Sequence, residues 1–191
     1  MDPAPAGIVL TGGSSRRLGV DKATLTLGGE TLAARAARLL SVICQHLVEV
    51  GPGASGLPAV RENPPGSGPL RALVAGVAAL SATRPVESVV LLACDLPNVA
   101  PVLHALAASS GDQVVVPLDE SGRRQYVCAR YGPDALARAA VFAATGEQSL
   151  RALFDAIGPS GVVEIDGFAP GVFADIDVPA DAQRAGIDLH R

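Results

Sequence analysis

The chain has 191 residues, of which 49% are hydrophobic and 3% aromatic, and its formal net charge at pH 7 is -4. The length predicts a single domain, spanning residues 1–191, with a core built mainly of Ala, Val and Leu. The net negative charge gives no indication of the basic surface that nucleic-acid binding requires. The longest strongly apolar run, residues 89–94, is far too short to span a membrane.

Strand and helix patterns alternate along the chain. Apolar runs bounded by Gly and Pro predict strands at residues 6–11, 46–50, 58–61, 88–94, 113–117, 125–131 and 161–165, with short extended pieces at 24–27 and 173–179. Helical spacing of apolar residues predicts helices at 31–44, 70–82, 99–109, 133–144, 149–157 and 179–185. The alternation predicts an α/β fold with a mainly parallel sheet, in which ligands bind outside the carboxyl ends of the strands.

The cysteines and the N-terminus bear on the cellular compartment. The three cysteines lie far apart in apolar segments, so we expect small buried side chains and neither a disulfide framework nor a zinc site. The first residues lack the basic stretch of a signal peptide. These features predict a reducing, cytoplasmic location and leave the oligomeric state open.

The loop after the first strand, residues 12–22, is suited to bind a polyphosphate. Gly12 and Gly13 permit a sharp turn and a close approach of a ligand to the backbone, and successive amides of such a loop can surround an anion. Arg17 and Lys22 supply positive charge, and Lys22 is the only lysine in a chain with fourteen arginines. The alternative is an ordinary strand-to-helix connection whose charges face solvent.

Asp95 directly follows the most apolar predicted strand, where it would lie at the same edge of the sheet as the glycine loop. A carboxylate there can hold Mg²⁺, which prefers one or two carboxylates together with waters and substrate phosphates. The alternatives are that Asp95 caps the helix near Val99 or forms a turn before Pro97.

Asp175 and Asp177 stand two residues apart in the last predicted extended piece. At that spacing their side chains point the same way, and they could share a metal ion or its water shell. Alternatively, Asp177 caps the helix that begins at Pro179.

The spacing of the glycine loop excludes the two most common phosphate-binding motifs. A P-loop has Lys directly after its last glycine, whereas Val20 follows Gly19 here, and this loop has no G-x-G-x-x-G spacing. The remaining pattern, G-G-x-S-x-R-x-G-x-D-K, resembles the signature loop of the MobA-like nucleotidyltransferases. Three further segments, in order along the chain, resemble motifs of the same family: Gly68-Pro69-Leu70, Cys94-Asp95-Leu96-Pro97 and Asp175-Ile176-Asp177-Val178-Pro179.

This resemblance implies a three-layer α/β/α nucleotide-binding, Rossmann-like fold with a mainly parallel, mixed sheet. It implies transfer of GMP from GTP to the phosphate of a molybdopterin-type cofactor carrying molybdenum, with release of pyrophosphate. The implied nucleotide-binding residues are Leu10, Thr11, Gly12, Gly13, Lys22, Glu62 and Asp95. Mg²⁺ would be bound by Asp95, with Asp177 as a second ligand, and Lys22 and Arg17 would neutralise the triphosphate.

Some positions depart from the family pattern and leave alternatives open. Thr11 stands where guanylyltransferases of the family usually have Ala, and Glu62 stands where an Asp that contacts the base is usual. The D-x-D at residues 175–177 is more typical of relatives that transfer CMP. The alternatives are therefore a cytidylyltransferase or another transferase for small phosphate acceptors, and a non-catalytic nucleotide-binding module.

On the acceptor side the sequence is less specific. Arg123 and Arg124 could reach acidic groups of an acceptor, but a pair of charges at a solvated hairpin tip is the more common arrangement. The three histidines, His46, His104 and His190, have no evident partner, and we interpret them as structural.

Overall fold

The computed structural model describes residues 3–12 and 20–187. Nine strands are found in these ranges: β1 (Ala6–Leu10), β2 (Thr26–Leu27), β3 (Glu30–Thr31), β4 (Leu47–Val50), β5 (Ala59–Val60), β6 (Val89–Ala93), β7 (Val114–Pro117), β8 (Cys128–Tyr131) and β9 (Val162–Ile165). The α-helices of the same ranges are α1 (Leu32–Ser41), α2 (Pro69–Ser81), α3 (Ala100–Ala108), α4 (Pro133–Ala144), α5 (Leu150–Ile157) and α6 (Pro179–Arg184). Short 3-10 helices cover Lys22–Thr24 and Pro159–Gly161.

Seven of these strands form one mixed sheet in the order β5-β4-β1-β6-β8-β7-β9. The pairs β1–β4, β1–β6, β4–β5 and β7–β9 are parallel, whereas β8 runs antiparallel to both β6 and β7. The prediction of a mainly parallel, mixed sheet is confirmed. The strands of this sheet that follow β1 are added first on one side of it, as β4 and β5, and then on the other side, beginning with β6. Open α/β sheets bind ligands at such a switch point in the strand order.

Helices cover both faces of the sheet and produce three layers. Leu73 of α2, Ala139 of α4 and Phe154 of α5 belong to the core cluster on one face. Residues of α1 and α3 form the core on the opposite face, together with the alternate side chains of β1 and β6. The centre of β6, Val89–Leu92, is fully buried because both faces are covered, and this explains its uninterrupted apolar sequence.

Apart from shifted ends, the two short 3-10 helices and the unpredicted strand β3, the predicted segments and the observed elements differ at two places. The strand predicted at residues 125–131 begins only at Cys128, because the Cys128 amide donates to the Gln125 carbonyl at 3.0 Å and closes a turn. The piece predicted as extended at residues 173–179 contains no strand; it is a turn and coil that leads into α6. Among the described residues, no helix combines the length and the apolar character that a membrane crossing requires.

Candidate functional site

The carboxyl ends of β1, β4 and β6 meet at one edge of the sheet. The Thr11 amide, just beyond β1, donates to the Val50 carbonyl at 3.2 Å, and the Cys94 amide, just beyond β6, donates to the Leu10 carbonyl at 3.0 Å. These two hydrogen bonds bring the start of the glycine loop next to the segment that carries Asp95. The proximity predicted from the strand order alone is therefore present.

A cleft of about 1180 Å³ opens along this edge. This exceeds the 300–1,000 Å³ typical of a pocket for one small ligand, so the cleft has room for a nucleotide and a second substrate. The predicted nucleotide-binding residues that line it are Leu10, Thr11, Gly12, Lys22, Glu62 and Asp95. Gly13 and Arg17 lie outside the described residues.

Lys22 links two acidic residues that are far apart in the sequence. Its Nζ lies 3.0 Å from Oδ2 of Asp95 and also donates to Oδ1 of Asp177. Asp21 caps the short 3-10 helix that begins at Lys22, accepting a hydrogen bond from the Ala23 amide at 3.0 Å, and thereby orients this segment. Burial lowers the pKa of Lys22, but the hydrogen bond to Asp177 and the charge of Asp95 outweigh it and raise the pKa above its ordinary value. Lys22 is therefore a fixed positive charge at neutral pH.

Backbone contacts hold Asp177 at this position. The amide of Ile176 donates to the carbonyl of Asp95 at 3.2 Å, and the Ile176 side chain is buried against Leu25 and Leu32. Asp181 of α6 accepts hydrogen bonds from the backbone amides of Asp177 and Val178 at 2.9 and 2.8 Å. Asp181 thus fills the capping role that was considered for Asp177, and the Asp177 side chain is directed to Lys22.

The capping alternative for Asp95 does not hold either. The next helix, α3, begins at Ala100 after Val99, which makes no side-chain capping bond. The Asp95 carboxylate is instead engaged by Lys22.

The donor set at this edge suits a hard divalent cation. Oxygens of Asp95 and Asp177 converge on one point, and that point is occupied by the ammonium group of Lys22, itself a cation. Two carboxylates are also the number that Mg²⁺ usually takes from a protein when substrate phosphates complete its shell. Within the described ranges, no group of three or more His, Cys, Asp or Glu side chains is arranged to hold a metal.

Asp175 adds a further acid to the cleft. Burial raises its pKa, and the charges of Asp177 and Asp95 raise it further. Within the described residues, the three carboxylates of Asp95, Asp175 and Asp177 thus lie close to the single ammonium group of Lys22 at this edge of the sheet. A multivalent cation would be attracted to it.

Gly12 and Glu62 line the end of the cleft that is predicted to hold the nucleotide, called the nucleotide end below. Gly12 does not use the left-handed conformation that glycine permits. A Cβ on Gly12 would lie 3.7 Å from the Val50 carbonyl, an ordinary contact, so nothing in the described protein excludes a side chain there. A glycine at this position is explained if a ligand uses the space. Glu62 lies at the same end, where its Oε1 accepts the Gly66 amide at 2.7 Å.

The other end of the cleft contains the polar turn after β7. Asp119 holds this turn by accepting hydrogen bonds from the amides of Ser121 and Arg123 at 2.8 and 3.0 Å. As predicted, Arg123 is exposed at this turn, which an antiparallel bridge between Leu118 and Arg124 closes, and both arginines also line the cleft. Arg124 is paired with Glu164 of β9 at 2.6 Å, which leaves Arg123 as the better placed of the two for a second ligand.

Sequence reasoning missed Glu49, a completely buried acid in β4 whose carboxylate contacts Thr11. The available signal was a charged residue inside an otherwise apolar strand. Neither His46 nor His104 lines the cleft, and His190 lies outside the described residues, so the structural role predicted for the histidines stays a prediction.

Comparison with known proteins agrees with this geometry. The family model of the MobA-like NTP transferase domain matches residues 7–160. A probable molybdenum cofactor guanylyltransferase of Mycobacterium avium is 35% identical, with 93% of this chain and 95% of that protein covered. A protein with the same description from Mycobacterium tuberculosis is also 35% identical, over 84% of each chain. Among solved structures, the molybdopterin-guanine dinucleotide biosynthesis protein A of Archaeoglobus fulgidus superposes with a TM-score of 0.74 at 20% identity, covering 94% of this chain and 96% of that one.

Proposed function

This chain belongs to the MobA-like NTP transferase family, and we propose that it transfers GMP from GTP to the phosphate of a molybdopterin-type cofactor carrying molybdenum. The observation that carries the proposal is the contact of Lys22, a residue of the cleft, with both Asp95, which also lines the cleft, and Asp177. The proposed acceptor is taken from the descriptions of the curated relatives. We further propose that residues 1–191 act as one domain and that the reaction takes place in the cytoplasm.

The reaction is an in-line displacement at phosphorus. An oxygen of the acceptor phosphate attacks the α-phosphorus of GTP, a new P–O bond forms, and the bond from the α-phosphorus to the bridging oxygen of pyrophosphate breaks. A phosphate group is largely ionised at neutral pH and already nucleophilic, so no general base is required. The protein therefore contributes through positioning and charge neutralisation.

Lys22 supplies a positive charge that the protein itself contributes to this step. Its ammonium group lies where a triphosphate entering over Gly12 would meet the two carboxylates. We propose that Lys22 then exchanges a carboxylate for phosphate oxygens and stabilises the negative charge of the leaving pyrophosphate. Removing one preorganised charged donor of this type lowers turnover by about 10²–10³-fold.

We propose that Asp95 and Asp177 hold Mg²⁺. When bound there, the ion would supply charge neutralisation for phosphate oxygens. The support is the convergence of the two carboxylates on one cation, with the carboxylate of Asp175 close by. Asp95 has the firmer position because only Cys94 separates it from β6, whose residues Val89–Leu92 are fully buried.

Glu62 is the proposed contact for the base. Guanine presents N–H donors on its Watson–Crick edge, which a carboxylate can accept. Glu62 is held toward the cleft by its hydrogen bond with Gly66, at the same end as Gly12. A base seated there would leave the opposite end, with Arg123, for the acceptor.

The test combines binding and turnover. Calorimetric titration of the full chain with GTP or CTP, each with Mg²⁺, should show tighter binding of GTP, and pyrophosphate should appear only when the molybdenum-loaded acceptor is added. Asp95→Asn should lose turnover by about 10²-fold or more. Asp155→Asn is the matched control because Asp155 lies exposed on α5 and does not line the cleft.

Each alternative predicts a different result. Preference for CTP would favour the cytidylyltransferase alternative. Binding of GTP without pyrophosphate release with any phosphate acceptor would favour a non-catalytic module. If neither nucleotide binds, the assignment to nucleotide transfer is wrong.

A further inference from the structure

Glu49 is a completely buried carboxylate in the parallel part of the sheet. It lies in β4 between Val48 and Val50, which are also buried, and its exposed fraction is 0%. Burial of an isolated carboxylate is costly unless hydrogen bonds replace its water shell. The sequence therefore retains an acid at a position where an apolar residue would pack at lower cost.

Five donors satisfy this carboxylate. Oε1 accepts the Thr11 hydroxyl and the amides of Gly53 and Ala54, the latter two at 2.7 and 2.9 Å. Oε2 accepts the amide and the hydroxyl of Ser55, at 2.7 and 2.6 Å. Within the described part of the chain, Glu49 forms no ion pair, so neutral donors alone stabilise its charge.

The loop that supplies most of these donors has its glycines at a spacing that is known from phosphate-binding loops. Residues 51–56 read G-x-G-x-x-G, and three successive amides, from Gly53 to Ser55, converge on one anion. Here that anion is the protein's own carboxylate, and the strand β5 follows in place of a helix. The loop is thus occupied internally and serves to hold Glu49.

Thr11 connects this buried arrangement to the cleft. Its side chain is enclosed between Glu49 and Gly51, since a Cβ on Gly51 would lie 2.0 Å from the Thr11 hydroxyl oxygen. Its backbone lies at the cleft edge, where Thr11 and Gly12 line the nucleotide end. The Thr11 hydroxyl thus adds a side-chain anchor to a backbone whose amides, at Thr11 and Gly12, donate to the Val50 carbonyl at 3.2 and 3.4 Å.

We infer that Glu49 is a positioning residue for the nucleotide, acting through the Thr11 hydroxyl to fix the Thr11–Gly12 backbone against which GTP binds. This inference rests on the proposed function. It differs from a purely structural role, in which Glu49 would serve only to fold the loop at residues 53–55. The two roles predict different effects for the hydroxyl donors on its two oxygens.

The experiment compares Thr11→Val with Ser55→Ala. Each variant removes one hydroxyl donor from the same carboxylate, but only Thr11 borders the cleft. GTP affinity, measured calorimetrically with Mg²⁺, should fall about tenfold in Thr11→Val, the size expected for a lost hydrogen bond to a charged group. In Ser55→Ala it should stay within about twofold, although both variants should lower the melting temperature. Thr11→Ser restores the hydroxyl and should recover most of the affinity.

Several results would overturn the inference. Equal losses of affinity in Thr11→Val and Ser55→Ala, or no loss in either, would assign Glu49 to the fold alone. The same holds if Thr11→Val and Thr11→Ala both fail to fold while Ser55→Ala folds. If the unmodified chain binds no GTP, the proposed function itself is wrong and the inference falls with it. If the unmodified chain binds GTP and only the contrast between variants is absent, the proposed function stands.

Discussion

The buried carboxylate of Glu49 should make the stability of this protein depend on pH in a way that one substitution removes. Replacing Glu49 with Gln keeps the size of the side chain but takes away a group that ionises. The carboxamide of the substituted side chain does not titrate, so the hydrogen bonds that it makes or loses contribute equally at every pH. The difference in unfolding free energy between the two proteins, followed against pH, therefore isolates the titration of Glu49.

The magnitude follows from the contacts. Burial alone would raise the pKa of Glu49, but the hydrogen bonds from Ser55, Thr11 and Ala54 lower it from 4.5 to about 2. A tenfold difference in the acid dissociation constant of Glu49 between the folded and the unfolded chain corresponds to about 1.4 kcal/mol. Ionised Glu49 therefore stabilises the fold by about 3 kcal/mol. Since the pKa is lower in the fold than in the unfolded chain, this contribution is complete above pH 4.5 and is lost as the pH falls toward 2. About 2 kcal/mol should be lost by pH 3.

The assay is urea denaturation of the unmodified chain and Glu49→Gln at pH 7, 5, 4 and 3. We expect the gap between their unfolding free energies to narrow by about 2 kcal/mol from pH 7 to pH 3. Glu164→Gln is the control, because Glu164 forms an exposed pair with Arg124 and such pairs contribute about 0–1 kcal/mol. A gap that stays constant over this range would refute the account of Glu49 as an ionised, hydrogen-bonded acid.

Three further substitutions test the site and the packing. Gly12→Ala should leave the melting temperature nearly unchanged, since its Cβ would make an ordinary 3.7 Å contact, but should weaken GTP binding; unchanged affinity would mean that no ligand uses this space. Lys22→Met should lower kcat/KM with GTP by about 10²-fold or more, and near-normal turnover would remove Lys22 from the mechanism. Gly76→Ala would place a Cβ 2.6 Å from Cδ1 of Ile8 and force α2 away from β1. Urea denaturation should show a loss of about 1–3 kcal/mol, and a smaller loss would indicate that Ile8 can rotate aside.

The proximity of Asp95 to the start of the glycine loop was predictable from sequence, whereas the position of Lys22 also depends on the 3-10 helix that begins there. The glycine loop and Asp95 each come after a strongly apolar strand, and parallel strands place their carboxyl ends at one edge. β1 and β6 are neighbours with five paired residues, so their following loops must adjoin. For Asp95, the apolar run in the sequence and the order of the strands in the sheet therefore indicate the same position.

The contact of Asp177 required information that the sequence does not carry. Residues 173–179 have the composition of a strand but do not join the sheet, and their position depends on Ile176, which packs into a small separate cluster. Asp175 and Asp177 do lie close enough for their charges to interact, although they do not belong to a strand as predicted, and the sequence could not tell which of them Lys22 engages. Contacts between a coil and a distant loop have no periodic signal.

Glu49 could not be interpreted from sequence for a different reason. A single acid in an apolar strand is compatible with an exposed edge strand, a salt bridge or a buried network, and only the fold distinguishes them. β4 proves to be an interior strand, flanked by β1 and β5. The donors that justify the charge lie four to six residues ahead and 38 residues behind it in the chain.

The two ends of the cleft edge are prepared for a ligand in different ways. At Thr11, the backbone is fixed by a buried charge whose hydrogen bonds are complete, so its position should change little when a nucleotide binds. At Lys22, one ammonium group contacts two carboxylates, and the carboxylate of Asp175 lies near them. A cation that enters with the nucleotide would take over these carboxylates and release Lys22 to the phosphates. The same cleft thus combines a rigid support on one side with an ion pair that is ready to exchange partners on the other, which is the combination that phosphoryl chemistry based on positioning and charge requires.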